Sequence, residues 1–184
     1  RGHLDNAGIY GRSAHVIACD PAAMDLPPYM ASRIEVRGDR AGWADAGTGL
    51  ARRVWDCLRP YGGVAEVSGE KAAPQFARAA GALASEGGRL QFAPDRTAAV
   101  LTRSGALPGS ATWTHQYADV ANTVVSKDKL VKLPLGLLWF GGPPNDDILP
   151  RHGHGPSPQV VGGRLFIEGP HALRAVDVYT GRLL

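Results

Sequence analysis

Apolar and polar positions alternate with two different rhythms along the chain. In the first 103 residues short apolar runs are separated by stripes of apolar residues spaced by about four. His15-Val16-Ile17-Ala18-Cys19 reads as a strand, stopped by Asp20-Pro21. The two prolines of Leu26-Pro27-Pro28-Tyr29 exclude a regular helix interior. A second strand is predicted over Ala31 to Val36, ending at Arg37-Gly38-Asp39. Leu50, Val54 and Leu58 then predict a helix over Gly49 to Leu58, terminated by Arg59-Pro60-Tyr61-Gly62-Gly63. Val64-Ala65-Glu66-Val67 reads as a third strand, and Gln75 to Ala84 as an Ala-rich helix stopped by Gly87-Gly88. Leu90–Ala93 and Ala98–Thr102 form an antiparallel hairpin around Pro94-Asp95-Arg96. Strands alternating with helices, then a closing hairpin, predict a layered α/β unit with a mostly parallel sheet.

The rhythm changes at Ser104-Gly105-Ala106-Leu107-Pro108-Gly109-Ser110, a boundary by composition. Leu133 to Phe140 is apolar but broken by Pro134 and Gly136, which predicts a short strand after a bend. Gly141-Gly142-Pro143-Pro144-Asn145-Asp146-Asp147 is a turn or loop. From Ser157 the chain reads as closely spaced antiparallel strands. Gln159-Val160-Val161, a Gly162-Gly163 turn, Arg164-Leu165-Phe166-Ile167, then Ala172 to Asp177 and the Tyr179-Thr180-Gly181 turn follow one another. The organisation predicted is an α/β segment over 1–103, a loop-rich linker over 104–155 and a repeat-like antiparallel segment over 156–184.

Composition sharpens this picture in places. The 44% hydrophobic content is that of a folded chain, and the 24 Gly and 14 Pro are denser from Gly105 onward. A net charge of +3 is too small and too scattered for a nucleic-acid surface. Its densest group, Lys127, Lys129 and Lys132, reads as a solvated strand edge, with a phosphate-binding patch as the alternative. Cys19 and Cys57 sit in apolar contexts that predict buried free thiols, with a disulfide between them as the alternative. There is no apolar run of about 18 residues to cross a membrane. The chain opens at Arg1-Gly2-His3-Leu4 in mid-element and closes on a strand that has barely begun. Both ends therefore predict a longer polypeptide, whose remainder or other subunits would be the partners, with oligomerisation expected if the chain stands alone.

Several residues carry chemistry. Trp113, His115, Tyr117 and Asn122, in Trp113-Thr114-His115-Gln116-Tyr117-Ala118-Asp119-Val120-Ala121-Asn122-Thr123, have groups able to line a polar site. The same residues suit a long loop anchored by its aromatics, with Asp, Asn and Thr satisfying backbone groups. His152 and His154 lie two apart, so an extended chain presents both imidazoles to one side, for a substrate contact, a metal or nothing beyond a glycine-rich loop. No third ligand accompanies them, and no metal is assigned. Glu35 and Glu66 fall within strands, and alternation on a half-exposed sheet accounts for both. Asp39 and Asp45 suit turns. Asp20 suits a helix cap or turn. No general base is assigned, because spacing alone does not supply the geometry acid–base catalysis requires.

Two resemblances emerge from these residues. His15-Val16-Ile17-Ala18-Cys19-Asp20, Ala31-Ser32-Arg33-Ile34-Glu35-Val36 and Leu58-Arg59-Pro60-Tyr61-Gly62-Gly63-Val64 occur in the order seen in the later half of class I S-adenosylmethionine-dependent methyltransferases. That resemblance implies a Rossmann-like partial sheet and places Asp20 where an acid lies near the cofactor adenine. The family's glycine-rich loop and ribose-binding acid would fall upstream of Arg1, so these residues do not form a whole cofactor site. Leu173-Arg174-Ala175-Val176-Asp177-Val178-Tyr179-Thr180-Gly181-Arg182-Leu183-Leu184 resembles the repeat of pyrroloquinoline-quinone-dependent dehydrogenases and their non-enzymatic relatives, "Val-x-Ala-x-Asp-x-x-Thr-Gly-x-x-x-Trp". The closing Trp, which normally packs between blades, is missing here. One blade cannot close a propeller, because repeats bury their faces against neighbours.

Together with Trp113-Thr114-His115 and Leu138-Trp139-Phe140-Gly141-Gly142, the pattern resembles large fused proteins of planctomycete-type bacteria. The fold class expected is α/β: a methyltransferase-type partial sheet with a closing hairpin, then a long loop and antiparallel propeller-blade strands. The expected function is that of a non-catalytic or incomplete scaffold or binding segment. The alternatives are methyl transfer from S-adenosylmethionine to an unknown acceptor, and quinone-dependent oxidation of an alcohol or sugar. No cofactor is expected for these 184 residues alone; S-adenosylmethionine, or the quinone with calcium, would belong to a longer protein. The propeller resemblance favours a bacterial periplasm or cell envelope. Fold does not by itself establish any of these activities.

Overall fold

The computed structural model describes residues 1–21, 23–39, 47–150 and 155–184. It has mixed α/β content in two sheets. The first sheet has four strands, β1 (Arg33–Arg37), β2 (Gly63–Ser68), β3 (Gly88–Phe92) and β4 (Ala98–Arg103), in the order β1-β2-β4-β3. β1 and β2 are parallel; β4 runs antiparallel to both β2 and β3. Helix α1 (Gly2–Asn6) precedes the sheet, α2 (Gly47–Cys57) crosses between β1 and β2, and α3 (Ala72–Ala80) continues into a 3-10 helix at Gly81–Glu86 before the hairpin.

The helices and strands meet on one face. Leu50, Val54 and Leu58 are buried as their spacing requires, and Ala51 and Trp55 join them. They pack with Val36, Ala65, Val67, Ala99 and Leu101 from the strands, and with Phe76, Ala77, Ala80 and Leu83 from α3 and its extension. Burying each large side chain contributes about 1.5–3 kcal/mol, so this cluster holds the first unit together. In β2 buried and half-buried positions alternate strictly, because successive side chains face opposite sides of a sheet. The other face is polar: Arg33 Nε and Arg37 Nη2 donate to Glu35 at 2.6 and 2.7 Å, and Arg33 Nη2 to Glu66 at 2.8 Å. Glu35 and Glu66 are thus the half-exposed strand acids that alternation predicts. Asp39 accepts from the backbone N–H of Lys71 and Ala72, capping the start of α3 from a distant segment.

The second sheet is antiparallel and open, with β5 (Gln159–Val161), β6 (Arg164–Gly169) and β7 (Ala172–Asp177) in sequence order. A bridge from Val176 to Leu183 begins a fourth edge, and a backbone bridge joins Trp113 to Val160. The hairpin pairs Leu90 with Leu101 and Phe92 with Ala99, as its apolar pattern requires.

Several expectations are corrected. The first sheet is mixed and not mostly parallel: β1 and β2 are parallel, but the closing hairpin runs β4 back antiparallel between β2 and β3. His15 to Cys19 is not a strand: Val16 and Ile17 are 50% and 63% exposed, since among the described residues no strand lies beside them to complete their backbone pairing. Cys19 is accordingly exposed, while Cys57 is buried in α2 as expected. Leu133 to Phe140 is irregular and, among the described residues, pairs with no strand, with Pro134 removing a donor and Gly136 adding no side chain; Lys127, Lys129 and Lys132 likewise lie on irregular chain and not on a strand edge.

Candidate functional site

The strongest constellation lies where the two sheets meet. α2 ends at Cys57, and the following turn projects Arg59 and Tyr61; Pro60 cannot continue the helix, and Tyr61 takes the left-handed conformation at φ 59°. The Arg59 guanidinium Nη2 lies 2.6 Å from Asp177 Oδ2, with both side chains largely or wholly withdrawn from solvent. The other Asp177 oxygen accepts from the backbone N–H of Tyr179 at 2.9 Å and Thr180 at 3.1 Å. One carboxylate therefore shapes the turn after β7 and fixes that turn to the first unit.

Aromatic rings cluster at the same two turns. Tyr179 meets Tyr29 edge-on at 5.6 Å and Tyr61 at 6.5 Å between centroids. Burial pushes the Tyr179 hydroxyl up to about 12, with the neighbouring Tyr61 and Tyr29 adding to the shift. Gly163, at φ 73°, lies so close to the Tyr61 ring that a Cβ would run into it. Arg103, buried at the end of β4, stacks over Trp55 at 4.4 Å and Tyr29 at 5.1 Å. It donates to the carbonyls of Trp55 and Leu58 at 2.8 and 3.1 Å, satisfying the end of α2. Burial lowers its pKa, yet guanidinium basicity keeps it charged.

A second anchor comes from the long loop. Trp139 Nε1 donates to Val178 O at 2.7 Å, and its ring covers Gly181, where a Cβ would overlap it. Asp147 adds a further tie: Arg174 donates to its backbone carbonyl at 2.6 Å and pairs with its carboxylate at 3.2 Å.

The sequence-predicted residues are placed separately. Asp20 is exposed, in the segment before Met24. Trp113 exchanges two backbone hydrogen bonds with Val160, at 2.9 and 2.7 Å. His115 Nδ1 lies 2.9 Å from Thr114 Oγ1, and Tyr117 is half exposed. Asn122, at φ 55°, donates its backbone N–H to Asp119 O. The organiser of this loop is Asp119, whose carboxylate accepts from Ala121 N, Thr123 N and Thr123 Oγ1 and pairs with Lys127 at 3.0 Å. Lys127 and Thr123 together hold its carboxyl at about 2. His152, His154 and Asp45 lie outside the described residues. Among the described residues, no group of three or more His, Cys, Asp or Glu is arranged to hold a metal, and no helix is long and apolar enough to cross a membrane.

The described side of the first sheet also carries a cavity of about 350 Å³ between the residues after Asp20, β1 and α2. A nucleoside-type cofactor needs close backbone approach at glycines and a carboxylate for its hydroxyls. The described lining has no glycine and one carboxylate, Glu35, which two arginines already occupy. These residues do not fit that group.

No family profile, curated protein or solved structure matches this chain.

Proposed function

We propose that the chain is a scaffold or binding segment in which a methyltransferase-like α/β unit carries the start of a quinoprotein-like propeller. The observation that carries this reading is the Arg59–Asp177 pair. Arg59 belongs to the turn that resembles the methyltransferase family, and Asp177 to the repeat that resembles the quinoprotein family. Each resemblance-bearing turn thus supplies one residue of the pair, which supports a reading in which the two units are built to hold each other. The first sheet supports the α/β half of the reading, with a parallel pair closed by a reversed hairpin. Trp139 supports the propeller half, because it covers the Thr180-Gly181 turn as a tryptophan packed between blades would.

Titration calorimetry tests this reading. A scaffold segment releases no binding heat with S-adenosylmethionine, nor with pyrroloquinoline quinone and calcium together. Saturable binding of S-adenosylmethionine would replace the scaffold reading with methyl transfer; saturable binding of the quinone would replace it with oxidation chemistry.

A further inference from the structure

The cavity beside β1 is built for a different class of ligand. Its wall is apolar, formed by Met24, Leu26, Met30, Ile34, Leu50 and Val54, with the buried Cys57 thiol among them. Met24 and Met30 are the only two methionines in the chain. Methionine is unbranched and polarizable, and surfaces that accept varied apolar ligands use it for that adaptability. The volume, about 350 Å³, falls at the small end of the range of about 300–1,000 Å³ typical of ligand sites.

The polar groups lie at the rim. Glu35 receives Arg33 and Arg37, at 2.6 and 2.7 Å, so its charge is compensated. Arg53 Nη1 donates to Met24 O at 3.0 Å, which holds the methionine-bearing segment over the wall. The carboxylates that raise the Cys57 thiol, after its burial, are Asp56 and Asp25, and Asp56 is paired with Arg52 at 3.0 Å. A guanidinium has five N–H donors. Among the described residues, Arg37, with its side chain 82% exposed, and Arg53 therefore retain donors beyond these bonds. An apolar wall with spare guanidinium donors at its mouth fits an apolar body that ends in an acceptor.

We infer that this cavity binds small amphiphilic carboxylates, with the hydrocarbon body against Met24, Met30 and Ile34 and the carboxylate at Arg37 and Arg53. This inference does not depend on the scaffold reading. Because both methionines line the cavity, [¹³C]methyl-methionine labelling reports on it directly. Titration with decanoate is expected to shift both methyl resonances together and saturably. Arg37→Gln, which removes a guanidinium from a largely exposed side chain, is expected to weaken decanoate roughly tenfold, the loss of one charge-assisted hydrogen bond. Decanol, which lacks the anionic end, is expected to bind the wild-type protein more weakly than decanoate. Unmoved methionine resonances at saturating decanoate would overturn the inference. So would equal affinities for decanoate and decanol, or a response to S-adenosylmethionine in place of decanoate.

Discussion

Arg59 and Asp177 lie 2.6 Å apart, Nη2 to Oδ2, and join two turns that come from distant parts of the chain. A buried pair of this kind is not a strong source of net stability, since both ions lose water when they meet. Either ion left alone would be costly, so the pair favours the docking that keeps Arg59 and Asp177 together. Tyr61 over Gly163 and Tyr179 between Tyr29 and Tyr61 supply the apolar contact that excludes water around it.

Tyr179 should make stability fall in alkali. Its hydroxyl is held at about 12 in the folded chain, against about 10 for an unfolded tyrosine. The folded state therefore keeps a proton that the unfolded state has released. The contribution is fully present below about pH 10 and is lost as pH rises toward about 12. Urea midpoints measured between these limits are expected to drop, and Tyr179→Phe is expected to flatten that dependence. A wild-type phenol titration complete near pH 10 would contradict the placement of Tyr179.

Gly181→Ala tests the Trp139 anchor. Gly181 has φ 69°, and a methyl group there would enter the Trp139 ring. Left-handed backbone alone costs an alanine about 1–2 kcal/mol, and displacement of the indole adds to it. The Trp139 Nε1 proton resonance should move and exchange faster as its bond to Val178 O is lost. An unchanged resonance would show that the ring does not rest on this turn.

Asp119 gives a sign of the opposite kind. Lys127 and Thr123 hold its carboxyl at about 2, below the unfolded value of about 3.9. Its contribution to the order of the loop is present above about pH 4 and is lost as pH falls toward about 2. The Thr123 amide shift should titrate with a midpoint near 2 and lose that titration in Asp119→Asn. A midpoint near 4 would mean that Lys127 and Thr123 do not hold the carboxylate.

Local pattern carried much of the fold. Leu50, Val54 and Leu58 marked α2 because one helical face needs that spacing, and the hairpin followed from apolar residues flanking Pro94-Asp95-Arg96. The corrections share a cause. Val16-Ile17 and Leu133–Phe140 are as apolar as a strand, but a strand also needs a neighbour to take its backbone bonds, and that neighbour is not a local property. The junction was half legible. Asp177 was recognisable as a turn acid in Asp-x-x-Thr-Gly, while its second partner, Arg59, depends on how the sheets dock. Trp113 is tied to Val160 through its backbone, a pairing that the types of its neighbours did not signal. The cavity was not legible, because Met24 and Met30, on one irregular segment, meet Leu50 and Val54 only after α2 packs on β1.

The most direct test of the docked arrangement is a double-mutant cycle on Arg59→Ala and Asp177→Ala, read by guanidinium chloride unfolding of the wild type, both single variants and the double variant. Each single variant is expected to lose about 3–5 kcal/mol, by stranding a buried charge. The double variant should lose less than the two together, leaving a coupling of at least about 1.5 kcal/mol. Additive losses, with coupling inside about 0.5 kcal/mol, would contradict it and show that Arg59 and Asp177 do not lock the two sheets together.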